Sequence, residues 1–264
     1  MSTRNPTIYF QHIPKTAGTS VRIWLKSHFG NHFCDAGIAD ELVRIQPQEL
    51  DQYQVFAGHF HSYLAQFVGP DLTVFTVLRN PLMRTFSHWH EVRRTAQHPH
   101  HARVSGQSFV EFVQDDQNRV MIEDYQARYL ARLSINMRAV ASRFSADELS
   151  GFALAEALEQ ASLQVTKPVL ARSARETLAA MALVGVCERL HEFLVGVSGL
   201  LKLPAPTSNE IPQANVTMTT ELGELPPATL AKLQELTQVD HELYEICKAR
   251  RGNVAAPDAL RSSA

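Results

Sequence analysis

The sequence predicts an α/β fold in three layers, a central and mostly parallel sheet flanked by helices and carrying helical insertions. Three observations lead there. An apolar, β-branched run at 7–13 (TIYFQHI) is followed by a small-residue loop and then by apolar residues at helical spacing, the opening of a βαβ unit. Two further runs, VFAGHF at 55–60 and LTVFTVL at 72–78, are almost wholly apolar, as strands covered on both faces are. A fourth run, MALVGV at 181–186, leads directly into another helical pattern.

Taken in order, the first strand gives way to PKTAGTS at 14–20, and Val21, Trp24, Leu25 and Phe29 then mark a helix over 21–29. The strand at 72–78 runs into Arg79, Asn80 and Pro81. Pro81 suits the first position of a helix, where its missing N–H is one the helix leaves unpaired anyway. That helix carries Met83, Phe86 and Trp89 and extends to Arg94, with Phe86 and Trp89 expected in the core. Residues 95–107, with His98, Pro99, His100, His101 and Gly106, have loop composition, and these histidines are expected to be solvated. Two helices are predicted across 108–133, and one each across 146–163, 189–201 and 227–248. The segment 202–220, with Pro204, Pro206 and Pro212, is irregular. One domain is expected over 1–250, with a disordered tail at 251–264.

Composition narrows the function. The 264 residues are 45% apolar and carry a net charge of −2, enough for a real core and too little positive charge for a general nucleic-acid or anionic-membrane binder. Three scattered cysteines, with no CxxC pair, suggest neither a disulfide framework nor a cysteine zinc site. No apolar run is long enough to span a bilayer, and a first strand at Thr7 leaves no room for a signal peptide or anchor. The expected location is cytoplasmic.

Two anion sites stand out. In PKTAGTS, Gly18 permits close backbone approach, Lys15 adds a charge, Thr16, Thr19 and Ser20 add hydroxyls, and the following helix presents its positive end. The loop is P-loop-like without being a Walker A motif, because the lysine precedes the glycine. A plain strand–turn–helix junction is the bland alternative. The second site follows the strand at 72–78, which delivers Arg79 where a nucleotide hydrolase commonly delivers a magnesium-binding aspartate. Ser87 lies eight residues beyond it, with Arg84 and His88 nearby. Two separate anion clamps and no carboxylate for a metal suggest a ligand with two phosphate groups.

These residues resemble a known family. HIPKTAGTS at 12–20 is similar to the 5′-phosphosulfate loop of sulfotransferases that use 3′-phosphoadenosine-5′-phosphosulfate (PAPS), and LRNPLMRTFS at 78–87 to their 3′-phosphate motif. The wording is closest to the carbohydrate branch that includes the heparan sulfate 2-O- and 6-O-sulfotransferases. AGHF at 57–60, DYQARYL at 124–130, VGVCER at 184–189 with Phe193, NVT at 215–217, and Asp240 with Leu243 and Tyr244 resemble further segments of that branch. Its animal members carry a membrane anchor and stem, and neither is expected here.

The resemblance implies a soluble sulfotransferase of the P-loop-like fold, using PAPS as co-substrate, no metal, and a carbohydrate or small-molecule hydroxyl as acceptor. It assigns the departing phosphate to Lys15, the 5′-phosphate to Thr16, Ala17, Gly18, Thr19 and Ser20, and the 3′-phosphate to Arg79 and Ser87. An acceptor hydroxyl needs a base with a suitable pKa, and His59 at the end of the second strand is the first choice, His61 the second. Gln126 and Arg128 either line the acceptor cleft or pair within their helices. Glu188 and Arg189 border the adenine or cap the helix that follows. The rival readings are a kinase or nucleotide hydrolase using ATP and magnesium, and a nucleotide-binding relative without chemistry.

Overall fold

Five strands pair in parallel in the order β2-β3-β1-β4-β5: β1 (Thr7–Gln11), β2 (Phe33–Cys34), β3 (Val55–Gly58), β4 (Leu72–Leu78) and β5 (Leu183–Val186). The structure, a computed structural model, describes residues 7–207 and 225–249. The expected α/β architecture is present. Four of the strands are those expected, and β2 is an addition whose two residues are too few to show any periodicity.

Alternation along the strands builds the layers, because successive side chains point to opposite faces. On one face Phe10, Phe75 and Val77 pack with Val21, Trp24 and Leu25 of α1 (Gly18–Phe29) and with Phe193, Leu194 and Val197 of α7 (Leu190–Leu201). On the other, Leu78 and Val186 meet three helices, α4 (Tyr125–Leu130), α6 (Lys167–Ala180) and α9 (Gln238–Ala249), through Tyr125, Leu170, Leu178 and Leu243. Each such fully buried large apolar side chain is worth about 1.5–3 kcal/mol before entropy is charged against it. A satellite cluster holds Phe86 and Trp89 of α2 (Pro81–Arg94) against Phe109 and Phe112 of α3 (Phe109–Gln114) and Leu233 of α8 (Pro227–Leu236). Phe86 and Trp89 are therefore core residues.

Tertiary capping moves several boundaries. The helix expected over 146–163 begins only at α5 (Ala153–Leu163), where the carboxylate of distant Asp40 accepts from the N–H groups of Leu154 and Ala155 at 2.7 and 2.9 Å. The helix expected over 227–248 divides at Thr237 into α8 and α9, and Asp124 caps the second by accepting from Val239 N–H at 2.8 Å. Helix α6 was not expected, since half its buried stripe is Ala174 and Thr177 rather than large apolar residues. The 95–107 loop contains one short helical turn, His101–Val104. The tail at 251–264, most of the irregular segment and the NVT match at 215–217 lie outside the described residues. No helix among the described residues is long and apolar enough to cross a membrane.

Strand order places the site. From β1 the chain goes to β2 at one edge and returns to β3 beside β1, then crosses to the other side for β4 and β5. The carboxyl ends of β1 and β4 thus flank the point where the winding reverses, the usual ligand crevice of an open parallel sheet.

Candidate active site at the carboxyl ends of the strands

The loop leaving β1 is wound tightly by two non-glycine residues with left-handed backbones, Lys15 (φ 71°) and Ala17 (φ 64°). Such residues cost on the order of 1–3 kcal/mol each and persist where the surroundings impose them. Buried Thr16 braces the turn by donating from Oγ1 to the Ile13 carbonyl at 2.9 Å. Ala17 is the N-cap of α1 and supplies no side-chain cap, so the positive end of a 12-residue helix faces the crevice without an internal anion. Gly18 is needed for a close approach, but its partner is a side chain: a Cβ there would lie 1.8 Å from the imidazole of His12. Ser20 is buried and Thr19 exposed. Lys15 has a partner that sequence reasoning missed, since its Nζ lies 3.1 Å from Oε2 of Glu91 on α2. Glu91 could have been found from helical spacing, being one turn beyond Ser87 and two beyond Arg84.

Arg79, directly after β4, reaches toward that loop and donates from Nη1 to the carbonyl of Lys15 at 3.2 Å. The structure thus brings the two predicted anion clamps together. Asn80 then caps α2 by accepting from Leu82 and Met83 N–H groups at 3.1 and 3.2 Å, with Pro81 in the first turn. Ser87 is buried on this helix beside His88 and the fully buried Arg84. Arg84 donates to the Met121 carbonyl and lies 4.0 Å from the centre of the Tyr125 ring; burial brings its guanidinium down to about 10.

The two candidate bases part company. Nδ1 of His59 lies 2.8 Å from the His12 carbonyl, and a carbonyl only accepts, so Nδ1 holds the proton and Nε2 keeps its lone pair. His59 is half-buried, its ring 4.2 Å from that of His12, and burial pushes it down to about 4. His61 does not continue the strand. Its backbone turns left-handed (φ 51°), its ring stacks on Tyr129 at 3.9 Å, and it is 3% exposed, pushed by burial down to about 3. His61 is built into the core, and His59 is the one left at the crevice. His12 is buried as well, and its Nδ1 has no hydrogen-bond partner among the described residues.

Gln126 and Arg128 are both buried and both committed. Gln126 accepts from Arg79 N–H and donates to the Arg79 carbonyl, each at 2.9 Å, so it positions that arginine's backbone. Arg128, expected at an acceptor cleft or paired within its helices, makes its hydrogen bonds outside its own helix. It donates to the carbonyls of Glu123, Val120 and Glu159 and to the Ser162 hydroxyl. Glu188 and Arg189 lie in a short helical turn ahead of α7, and Arg189 donates to the Lys248 carbonyl at 2.7 Å.

The expectation that the loop histidines are solvated is corrected by their contacts. His98 accepts at Nδ1 from His100 N–H at 3.2 Å and sits with its ring 5.8 Å from that of His88. Nδ1 of His101 donates to the Val92 carbonyl at 2.9 Å. Among the described residues no group of three or more His, Cys, Asp or Glu side chains is arranged to hold a metal ion.

No family model matches the chain, and no curated protein does. Among solved structures it is similar to a sulfotransferase from Alicyclobacillus acidocaldarius, with 16% sequence identity and a TM-score of 0.40 over 92% of this chain and 100% of that one. Likeness at that level leaves the function to be argued from the site itself.

Proposed function

We propose that the chain is a sulfotransferase that moves a sulfuryl group from PAPS to an acceptor hydroxyl by in-line transfer. One observation supports this above the others. Arg79, at the end of β4, donates to the backbone carbonyl of Lys15 at 3.2 Å, so the arginine stands against the β1–α1 loop and a cation occupies the strand end where nucleotide hydrolases place a magnesium-binding carboxylate.

The residues present fit this donor, which supplies an activated sulfuryl group on a nucleotide with 3′- and 5′-phosphates. The α1 N-terminus and the backbone of Thr16, Ala17, Gly18, Thr19 and Ser20 hold the 5′-phosphate. Thr16 contributes through its backbone, because its hydroxyl is engaged by Ile13. Arg79 and Ser87 hold the 3′-phosphate. Lys15 stabilises the negative charge that grows on the departing phosphate oxygen, the largest kind of contribution in such transfers. His59, unprotonated at neutral pH, takes the acceptor proton at Nε2. The cations and the helix dipole do the neutralising, so no metal is required.

The acceptor is a carbohydrate or small-molecule hydroxyl, the carbohydrate favoured by the wording of HIPKTAGTS. A cytoplasmic protein with one domain over 1–250, acting on neither nucleic acid nor membrane, belongs to the same reading. Cys34, Cys187 and Cys247 form no disulfide among the described residues.

Calorimetric titration with 3′-phosphoadenosine-5′-phosphate without magnesium, alongside ATP, tests the reading. Tight bisphosphate binding with weak ATP binding is expected, and Arg79→Ala should weaken the bisphosphate by about 10- to 100-fold, the worth of charge-assisted hydrogen bonds. Absent bisphosphate binding, or ATP binding that needs magnesium, turns the assignment to a kinase or hydrolase. Binding without transfer to any of a range of acceptors turns it to a non-catalytic relative.

A further inference from the structure

The Lys15 side chain is only 8% exposed, and its charge is matched among the described residues by the carboxylate of Glu91, which is 38% exposed and 3.1 Å away. A buried ammonium needs such a counter-ion, since the cost of removing it from water is offset only by a close opposite charge. Glu91 stands on the same face of α2 as Arg84, Ser87 and His88, so the helix that carries part of the 3′-phosphate site also carries this carboxylate. Burial lowers the proton affinity of both His59 and His98, and the Glu91 charge opposes that lowering in part. Glu91 therefore meets the loop lysine directly from α2.

A lysine cannot give its full charge to a phosphosulfate and to a carboxylate together. We propose that Glu91 is a positioning residue of this site, holding Lys15 in the donor-free protein and releasing it to the 5′-phosphosulfate when the donor binds. The inference rests on the sulfotransferase reading and names what that reading lacks, the group that occupies the lysine beforehand. Exchange of one counter-ion for another keeps the buried ammonium neutralised throughout. It also makes the donor compete with Glu91, so the carboxylate weakens nucleotide binding in return for a preset lysine.

That competition has a sign that structural damage does not mimic. Glu91→Gln keeps the size and removes the charge, and it should tighten binding of 3′-phosphoadenosine-5′-phosphate by about two- to fivefold, the usual worth of a partly exposed ion pair. Glu91→Asp should bind within about twofold of the wild type, a difference below the worth of one ion pair. In a Lys15→Ala background the Glu91→Gln effect should vanish, because the pair no longer exists. Thermal melts of the four variants against the wild type check that each is folded. If the wild type binds the bisphosphate and Glu91→Gln binds it equally or more weakly, the role of Glu91 is overturned while the sulfotransferase reading stands. Equal tightening with and without Lys15 also overturns it, since it then reflects net charge alone. If the wild type fails to bind the bisphosphate, both fall together.

Discussion

Gln126 grips both backbone groups of Arg79, accepting from its N–H and donating to its carbonyl at 2.9 Å each. Gln126 is itself held, because Asp240 accepts from the N–H groups of Gln126 and Ala127 at 3.0 and 2.7 Å. Asp124 returns the cap to Val239 and Asp240 at 2.8 and 3.2 Å, so α4 and α9 begin by capping each other. The position of Arg79, which we propose holds the 3′-phosphate, is thus set from the far end of the chain. Gln126→Leu should cost about 2–3 kcal/mol, two buried hydrogen bonds with their partners left unsatisfied. It should also weaken bisphosphate binding while leaving Arg79 in place. Urea denaturation and calorimetry measure the two effects separately.

Gly18 and His12 form a steric pair. With a Cβ 1.8 Å from the His12 ring, Gly18→Ala forces the loop or the imidazole to move and should cost about 1–3 kcal/mol. Adding His12→Ala removes the obstacle, so the double variant should lose less than the sum of the two single losses. A purely additive result in denaturation would remove the packing explanation.

His59 and His61 should separate by assay. His59→Asn should lower kcat by about 10²- to 10⁴-fold with little change in stability, the range for a lost general base. His61→Asn removes a buried ring stacked on Tyr129 and should lower stability first. Comparable kcat losses at unchanged melting temperatures would reverse the assignment.

Stability should fall in acid, and the sign follows from burial. His59 and His61 are pushed down to about 4 and about 3 from an ordinary value near 6.5. The unfolded chain therefore binds protons that the folded one refuses. Their contribution is complete above about pH 6.5 and is lost as pH falls toward 4 and 3. Asp124 acts in the opposite sense. Burial and neighbouring Asp240 lift it to about 7, so its folded form keeps a proton that the unfolded chain releases near 4. Its contribution is present below about pH 4 and is lost as pH rises through 7. Asp124→Asn should thus gain stability relative to wild type as pH rises from 4 to 7, measured by denaturant midpoints across that range.

The sequence by itself determined the βαβ opening, the parallel sheet, the Pro81 helix start and the two anion segments. These are local patterns, in which strand apolarity, helical spacing and cap chemistry sit within a few residues of one another. It also singled out Lys15, Arg79, Ser87 and His59, residue types whose chemistry is legible without neighbours. Only tertiary structure decided which of two histidines two positions apart stays at the crevice, because a left-handed turn at His61 breaks the strand alternation that would have put them on one side. The same holds for the start of α5 at Asp40, the break between α8 and α9, and the partners of Gln126, Arg128 and Lys15. Each depends on a hydrogen bond or ion pair between residues far apart in the chain, such as Asp40 with Leu154 or Lys15 with Glu91, and no periodicity records such a meeting.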